Sequence, residues 1–233
     1  MKFHTKLITH AVLSTVTLSS GICSAAAQEV DYNIFLIPSD NIQQQIKTYN
    51  HAIDQTGVTS LGSQGYKSHI TLYLTQYSTS QLTTLKQTVA TIAEKTSPFP
   101  LTLNKISYTA GNWVMLDVQW TPKLQRLADE STMAASPYRA HNKKAPGWIQ
   151  HYPQKLAAFE RYGSPNVFAN FEPHFTLLPE TPAQQITRVR NALNSLSQQL
   201  NGKAVAIGIA QVDNNGQVKT PIAVYHFKAS SES

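Results

Sequence analysis

The chain is almost without cysteine, since Cys23 is its single thiol. One cysteine allows no internal disulfide, so a core of ordinary side chains must hold the fold, which a chain of this length can supply. Dense Lys/Arg runs are also absent, although the formal net charge is +6. Such runs are typical of proteins that hold a long nucleic acid through many phosphates. A small or short anionic ligand therefore fits this composition better.

The first residues have the pattern of an export signal. Lys2 and Lys6 precede an apolar run over 7–18, and the alanines at 25–27 match a signal-peptidase site. We therefore expect a cleaved signal peptide over 1–27 and a periplasmic or secreted mature protein. The apolar run is too short and too interrupted by polar residues to form a permanent span, so no membrane anchor is expected.

Hydrophobic periodicity predicts alternating strands and helices, which is typical of an α+β protein. The predicted strands are 32–37, 66–75, 101–108, 113–120, 170–178, 204–212 and 222–227. The main predicted helices are 40–55, one that follows a cap at 78, 79 or 80 and ends at 95, then 122–135 and 181–200. The strand–helix–hairpin order of the first half recurs in the second. An internal duplication is the simplest explanation of this recurrence.

One short pattern occurs in both halves at matching positions. His69-Ile70-Thr71-Leu72 in the first half corresponds to His174-Phe175-Thr176-Leu177 in the second. Because side chains alternate across a strand, each His and the Thr two residues later point to the same face. If the two strands face each other, two imidazoles and two hydroxyls converge on one point. That arrangement would suit a phosphate.

The paired His-x-Thr-Leu pattern resembles the 2H phosphoesterase superfamily, which includes the bacterial 2′-5′ RNA ligase/cyclic phosphodiesterase proteins. The resemblance rests on His69, Thr71, His174 and Thr176. It implies a bilobal, duplicated α+β fold, with two antiparallel-rich sheets facing a central cleft and helices on the outer faces. It also implies hydrolysis of a 2′,3′-cyclic phosphate or related phosphodiester of a nucleotide or RNA end, with no metal and no cofactor.

The residue types suit this chemistry. Opening a cyclic phosphodiester requires one group that deprotonates a water and another that protonates the departing alkoxide, and imidazole can do either near neutral pH. The hydroxyls of Thr71 and Thr176 can donate to the oxygens on which charge develops. The sequence leaves open which of His69 and His174 is the base.

The duplication also predicts the domain organisation. We expect a lobe with the first motif over 28–121, a linker with helices over 122–165, and a lobe with the second motif over 166–233. The expected protein is a monomer whose partner is a nucleotide or short RNA with a cyclic phosphate.

Three further residues are candidates for substrate binding. Tyr73 follows the first motif on the same predicted strand face, and Lys67 lies two residues before His69. Arg139 begins the most basic local window, 139–144, which can line the mouth of a cleft or form a solvated linker. Glu172 lies where the second half has its counterpart of Lys67, and it would orient a histidine or a water rather than bind phosphate.

Two other interpretations remain open at this stage. The first is a nucleotide- or phosphate-binding protein on the same fold that has no catalytic activity. The second is a zinc site built from His69 and His174, although no third ligand stands out and no close His-x-x-x-His or cysteine spacing exists.

Overall fold

In the computed structural model, which describes residue 1 and residues 28–196 and 199–228, strands and helices alternate along the chain. The strands are β1 (Glu29–Pro38), β2 (Ile70–Ser78), β3 (Phe99–Tyr108), β4 (Val114–Val118), β5 (His174–Leu178), β6 (Leu200–Gln211) and β7 (Ala223–His226). The α-helices are α1 (Asp40–Asp54), α2 (Leu82–Lys95), α3 (Pro122–Ala135), α4 (Pro153–Tyr162) and α5 (Ala183–Asn194). The α+β class is confirmed.

All neighbouring strands pair antiparallel, in the order β2-β1-β6-β3-β4-β5, and β7 pairs with β6. The long strand β6 makes this continuity possible. Its first residues, 200–204, pair with β3, whereas residues 204–211 pair with β1. The expectation of two separate sheets is therefore corrected: two groups of strands form one seven-stranded sheet, because both groups share β6.

The two strand groups take members from both halves of the sequence. The first motif strand, β2, belongs to a group with β1, β6 and β7, and the second, β5, pairs with β4 and through it with β3. Strand pairing thus crosses between the predicted lobes 28–121 and 166–233. Apolar alternation specifies which face of a strand is buried, but not which edge it pairs with.

The main core lies on the face of the sheet that the helices cover. Helix α1 buries four side chains at helical spacing, those of Ile42, Ile46, Tyr49 and Ile53. Strand β1 contributes its alternate residues Val30, Tyr32, Ile34 and Leu36. Phe35 points to the opposite face and packs with Ala210 and Val218 in a second, smaller cluster. The two faces of β1 thus serve different purposes, one for the core and one for the site described below.

The expectation of an exported protein is corrected. The predicted signal peptide lies almost wholly outside the described residues, which exclude 2–27. Nothing in the part of the chain that the structure describes has the features of a signal peptide or points to the periplasm or to secretion. None of the described helices has the combined length and apolar character of a membrane span.

Gly208 provides a test of how the second cluster is packed. A Cβ at this position would lie 2.6 Å from Cζ of Phe35 and 3.1 Å from the carbonyl oxygen of Ala223. Gly208→Ala should therefore lower the free energy of unfolding by about 1–3 kcal/mol, measured by urea denaturation. Gly147→Ala is the control, because a Cβ there meets nothing within 4 Å. Equal stability of the two variants would contradict this account.

Candidate active site

The structure brings the two motif histidines to one site. His69 directly precedes β2 and His174 is the first residue of β5, and these two strands lie in contact. His69 is only 7 % exposed, and His174 is partly buried. The positive charge of protonated His174 is near enough to contribute to the lowered pKa of His69. The two imidazoles therefore lie near enough to influence each other, and their convergence on one bound group stays a prediction.

The two imidazoles make the same hydrogen bond. Nδ1 of His69 donates to the carbonyl oxygen of Lys67 at 2.8 Å, and Nδ1 of His174 donates to the carbonyl oxygen of Glu172 at 2.7 Å. Because a carbonyl oxygen only accepts, Nδ1 carries the hydrogen in both rings. In the neutral ring Nε2 then has a lone pair, so it is the nitrogen that exchanges a proton.

The two threonine hydroxyls have different neighbours. Thr71 Oγ1 accepts a hydrogen bond of 2.9 Å from Nδ2 of the fully buried Asn33, which leaves the hydroxyl hydrogen of Thr71 to donate elsewhere. Thr176 Oγ1 lies 3.7 Å from Sδ of Met115, a weak acceptor. Both hydroxyls are therefore able to turn a hydrogen toward a substrate oxygen.

Asp117 is a charged neighbour of the site that sequence analysis missed. It pairs with His174 across β4 and β5, and Ser107 donates a 2.7 Å hydrogen bond to its Oδ1. Since directly paired residues share a face, the carboxylate lies beside the imidazole and favours the protonated form of His174. The apolar alternation of Val114, Leu116 and Val118 predicts that Asp117 points away from the core. Its proximity to His174 depends on a register that the sequence does not show.

A loop after β6 covers the first histidine. The ring of Phe35 meets the ring of His69 edge to face, with centroids 5.5 Å apart. The carbonyl of Gly216, in this loop, favours the protonated imidazole and so raises its pKa. Asp213 shapes this loop, because its Oδ1 accepts hydrogen bonds from two backbone amides and its Oδ2 accepts one from the hydroxyl of Tyr66. This packing explains why His69 is more buried than His174.

Burial is the main influence on the pKa of both imidazoles. It lowers the pKa of His69 to about 4, and the proximity of His174 adds to this effect, whereas the carbonyl of Lys67 opposes it. Burial also lowers the pKa of His174, against the opposing effects of the Glu172 carbonyl and the Asp117 carboxylate. Both rings are thus biased toward the neutral form, and a bound anion would shift them back toward protonation.

The structure contradicts the expected role of Tyr73. Its side chain is 1 % exposed and its hydroxyl donates to the carbonyl of Tyr162, so it belongs to the core. The physical reason is a bulge in β2: Phe35 pairs with Thr71, but Ile34 pairs with Tyr73. The extra residue, Leu72, changes the side-chain alternation beyond the motif. Tyr73 therefore points away from the face that holds Thr71.

The two predicted basic residues lie in different places. Lys67 is exposed and holds His69 through its backbone carbonyl, and it is one of the residues that line a cavity beside the motif. Arg139 donates from Nη1 to the carbonyl of Ser136 and acts electrostatically on the hydroxyls of Tyr73 and Tyr77. Arg139 therefore lies beside the part of β2 that follows the motif, and its contact with substrate stays a prediction.

An exposed aromatic pair lies near the second motif. Trp148 and Tyr152 are 50 % and 45 % exposed, with ring centroids 6.1 Å apart in an edge-to-face arrangement. Lys155 connects this pair to the site: its Nζ lies 5.9 Å from the Trp148 ring centroid and 3.2 Å from Oε2 of Glu172. The sequence alone does not indicate that the segment with Trp148 and Tyr152 lies close to His174.

The zinc interpretation gains no ligand set from the structure. Among the residues that the structure describes, no group of three or more His, Cys, Asp or Glu side chains is arranged to hold a metal ion. His69 and His174 are thus two nitrogen donors without a third partner in the described part of the chain.

Comparison with known proteins supports the fold. A family model described as "Protein of unknown function (DUF1045)" matches residues 74–215, which include the second motif and begin just after the first. No curated protein matches. The chain resembles E. coli LigT complexed with 3′-AMP, with a TM-score of 0.52 and 13 % identity over 86 % of this chain and 99 % of that chain.

Two further solved structures show the same likeness. The protein TT0787 of Thermus thermophilus has a TM-score of 0.52 and 12 % identity over 86 % of this chain and 99 % of its own. E. coli LigT complexed with phosphate has a TM-score of 0.50 and 14 % identity over 87 % and 99 %. At this identity the likeness concerns the fold alone, and in that respect the resemblance to the 2H phosphoesterase superfamily is confirmed.

The lowered pKa of His69 predicts how stability depends on pH. The folded-state pKa is about 4, and the unfolded value is about 6.5. The unfolded chain therefore binds the proton more readily, so the contribution of neutral His69 is full above about pH 6.5. It is lost as the pH falls from about 6.5 to about 4, a change of up to about 3 kcal/mol.

Urea denaturation at pH 7.5, 5.5 and 4 measures this loss. His69→Gln should lose less stability than the natural protein over this interval, because the substituted side chain does not titrate. The exposed His226 provides the matched control, and His226→Gln should follow the natural protein. An unchanged pH dependence in His69→Gln would contradict the prediction.

Proposed function

This chain belongs to the family of proteins of unknown function DUF1045, and we propose that it is a phosphoesterase that hydrolyses a 2′,3′-cyclic phosphate, or a related phosphodiester, of a nucleotide or RNA end. The observation that carries the proposal is the matched pair of imidazoles. Each donates Nδ1–H to the carbonyl two residues before it, and each has a threonine hydroxyl two residues after it. The LigT-like fold supports the same reaction class.

The proposed reaction uses both imidazoles at once. The neutral ring takes a proton from a water through Nε2, and the water oxygen forms a bond to phosphorus. The bond from phosphorus to one ribose oxygen breaks, and the protonated ring gives that oxygen its proton. The product is a phosphate monoester beside a free hydroxyl. In the reverse reaction His69 and His174 exchange roles.

The surroundings favour one proton shared by the two rings. Burial disfavours both imidazolium forms, and a proton on His174 further disfavours one on His69. A cyclic phosphate brings one negative charge, which compensates for a single imidazolium. The hydroxyls of Thr71 and Thr176 then donate to the non-bridging oxygens, where negative charge accumulates during attack.

The exposed aromatic pair supports a nucleotide substrate. Aromatic side chains bind bases by stacking, with little dependence on base identity. Lys155 lies near the Trp148 ring and pairs with Glu172, and the carbonyl of Glu172 accepts the hydrogen bond from His174. A base on the Trp148–Tyr152 pair would place its ribose phosphate toward the histidines. One of the similar solved structures, that of E. coli LigT, is a complex with 3′-AMP.

The direct test is incubation with a 2′,3′-cyclic mononucleotide in EDTA, followed by detection of a monophosphate. His69→Ala and His174→Ala should each lower kcat/KM by at least about 10²-fold, because each removes one proton transfer. Turnover that EDTA abolishes, or full activity in either variant, would contradict the mechanism. Binding without any product would favour the non-catalytic interpretation.

A second substrate separates the two histidine roles. A nucleoside 3′-(p-nitrophenyl phosphate) releases a phenolate that leaves without needing a proton. The alanine variant that lacks the acid should therefore recover most of its activity on this substrate, and the variant that lacks the base should not. Rescue of both variants, or of neither, would overturn the assignment of complementary roles.

Trp148→Ala tests the contribution of the aromatic pair. Loss of stacking should raise KM for the cyclic nucleotide by about 5–100-fold and change kcat much less. Met133→Ala is the control, because Met133 is also an exposed large side chain but lies on α3. An unchanged KM in Trp148→Ala would exclude a stacking role for this ring.

A further inference from the structure

A cavity lies beside the histidine site rather than around it. It has a volume of about 500 Å³, within the range of small-molecule sites. One wall is the outward face of α1, with Lys47, Asn50 and His51. The other wall is the loop that leads into the first motif and includes Tyr66 and Lys67. The proposed reaction makes no use of this cavity.

The cations of the cavity have no carboxylate partner. Among the described residues, neither Lys47 nor Lys67 forms an ion pair, whereas Lys143 and Lys155 each do. Both free ammonium groups lie on exposed residues at the rim. Lys219 adds a third cation nearby, with its Nζ 5.6 Å from the ring centroid of Tyr66. The positive charges of this rim are thus available to an anion.

The only carboxylate that lines the cavity, among the residues described, is already occupied. Asp54 accepts hydrogen bonds from the backbone amide and hydroxyl of Ser60 and from the hydroxyl of Ser63. These bonds tie the loop over 60–63 to the end of α1. Asp54 therefore shapes the cavity wall, and its charge is compensated locally by three donors rather than directed at the two lysines.

Asn50, a residue of the cavity wall, has a buried acceptor without a donor. Oδ1 of Asn50 is buried and has no hydrogen-bond partner in the described part of the chain, which lowers the stability of this wall. Gly62 faces this side chain so closely that a Cβ there would lie 2.4 Å from Nδ2 of Asn50. The cavity wall thus combines cations with neutral polar side chains, such as those of Asn50 and Ser63, which suits a phosphate group.

Lys67 joins this cavity to the histidine site. It is one of the residues that line the cavity, and its carbonyl oxygen accepts the hydrogen bond from Nδ1 of His69. Resting on the proposed function, we propose that the cavity binds a second phosphate of the substrate while the cyclic phosphate lies between the histidines. The preferred substrate then carries two phosphate groups, one cyclic and one terminal.

Two matched substrates test this inference. The value of kcat/KM is measured for a nucleoside 2′,3′-cyclic phosphate with and without a 5′-phosphate, at fixed ionic strength. The natural protein should prefer the doubly phosphorylated substrate by at least about tenfold, because ammonium–phosphate hydrogen bonds are strong. Lys47→Ala should reduce this preference to below about threefold. Lys86→Ala, which removes an exposed lysine of α2 outside the cavity, should keep the preference.

Binding measurements separate failure of the inference from failure of the proposed function. Calorimetry compares a nucleoside 3′,5′-bisphosphate, the matching 3′-monophosphate and inorganic phosphate on the natural protein and Lys47→Ala. Tighter binding of the bisphosphate that depends on Lys47 supports the cavity even if no substrate is turned over. Equal affinities and equal kcat/KM values would overturn the inference while leaving the histidine mechanism intact. Binding of inorganic phosphate that depends on Lys47, without a substrate preference, would also overturn it, because the cavity would then bind a free anion.

Discussion

The shared strand β6 is the constraint on which the arrangement of the site depends. Its first residues complete the group that carries β5, and its remaining residues complete the group that carries β2. Backbone hydrogen bonds of one strand therefore hold both motif strands in a single sheet. Gly208 on the same strand leaves room for Phe35, whose ring contacts His69. The pairing of β6 thus acts at two levels, on the placement of strands and on the packing of one imidazole.

Within that frame, the two halves treat their histidines alike in one respect and differently in another. The Nδ1 bond to the second carbonyl before the ring is common to both. The surroundings differ, because His69 is enclosed by Phe35 and by the loop that carries Asp213, whereas His174 is less buried and pairs with Asp117 across the sheet. A duplicated motif has therefore produced two imidazoles with one orientation and two environments. This difference suits a reaction that needs one ring neutral and the other protonated.

Local patterns predicted most of the elements and the pair of motifs. The spacing of Ile42, Ile46 and Ile53 predicted α1, and the alternation from Val114 to Val118 predicted β4, because both depend only on side-chain periodicity. Tyr73 was misplaced because a bulge is a property of the pairing between two strands. Asp117 was missed for a related reason, since its position beside His174 requires the register of β4 on β5. The non-local pairings of the site were thus beyond what periodicity contains.

The exchange of strands between the two groups also constrains how this chain acquires its structure. The group with the first motif is complete only when β6 and β7, near the end of the described chain, have paired with β1. Contacts of such long sequence separation form slowly, and during synthesis the edge of β1 must wait for a strand that begins about 160 residues later. A ribosome therefore releases most of the chain before the first histidine has its final surroundings. Although the motif is repeated, the two halves of the sequence do not form two independent folding units, because their strands pair with each other.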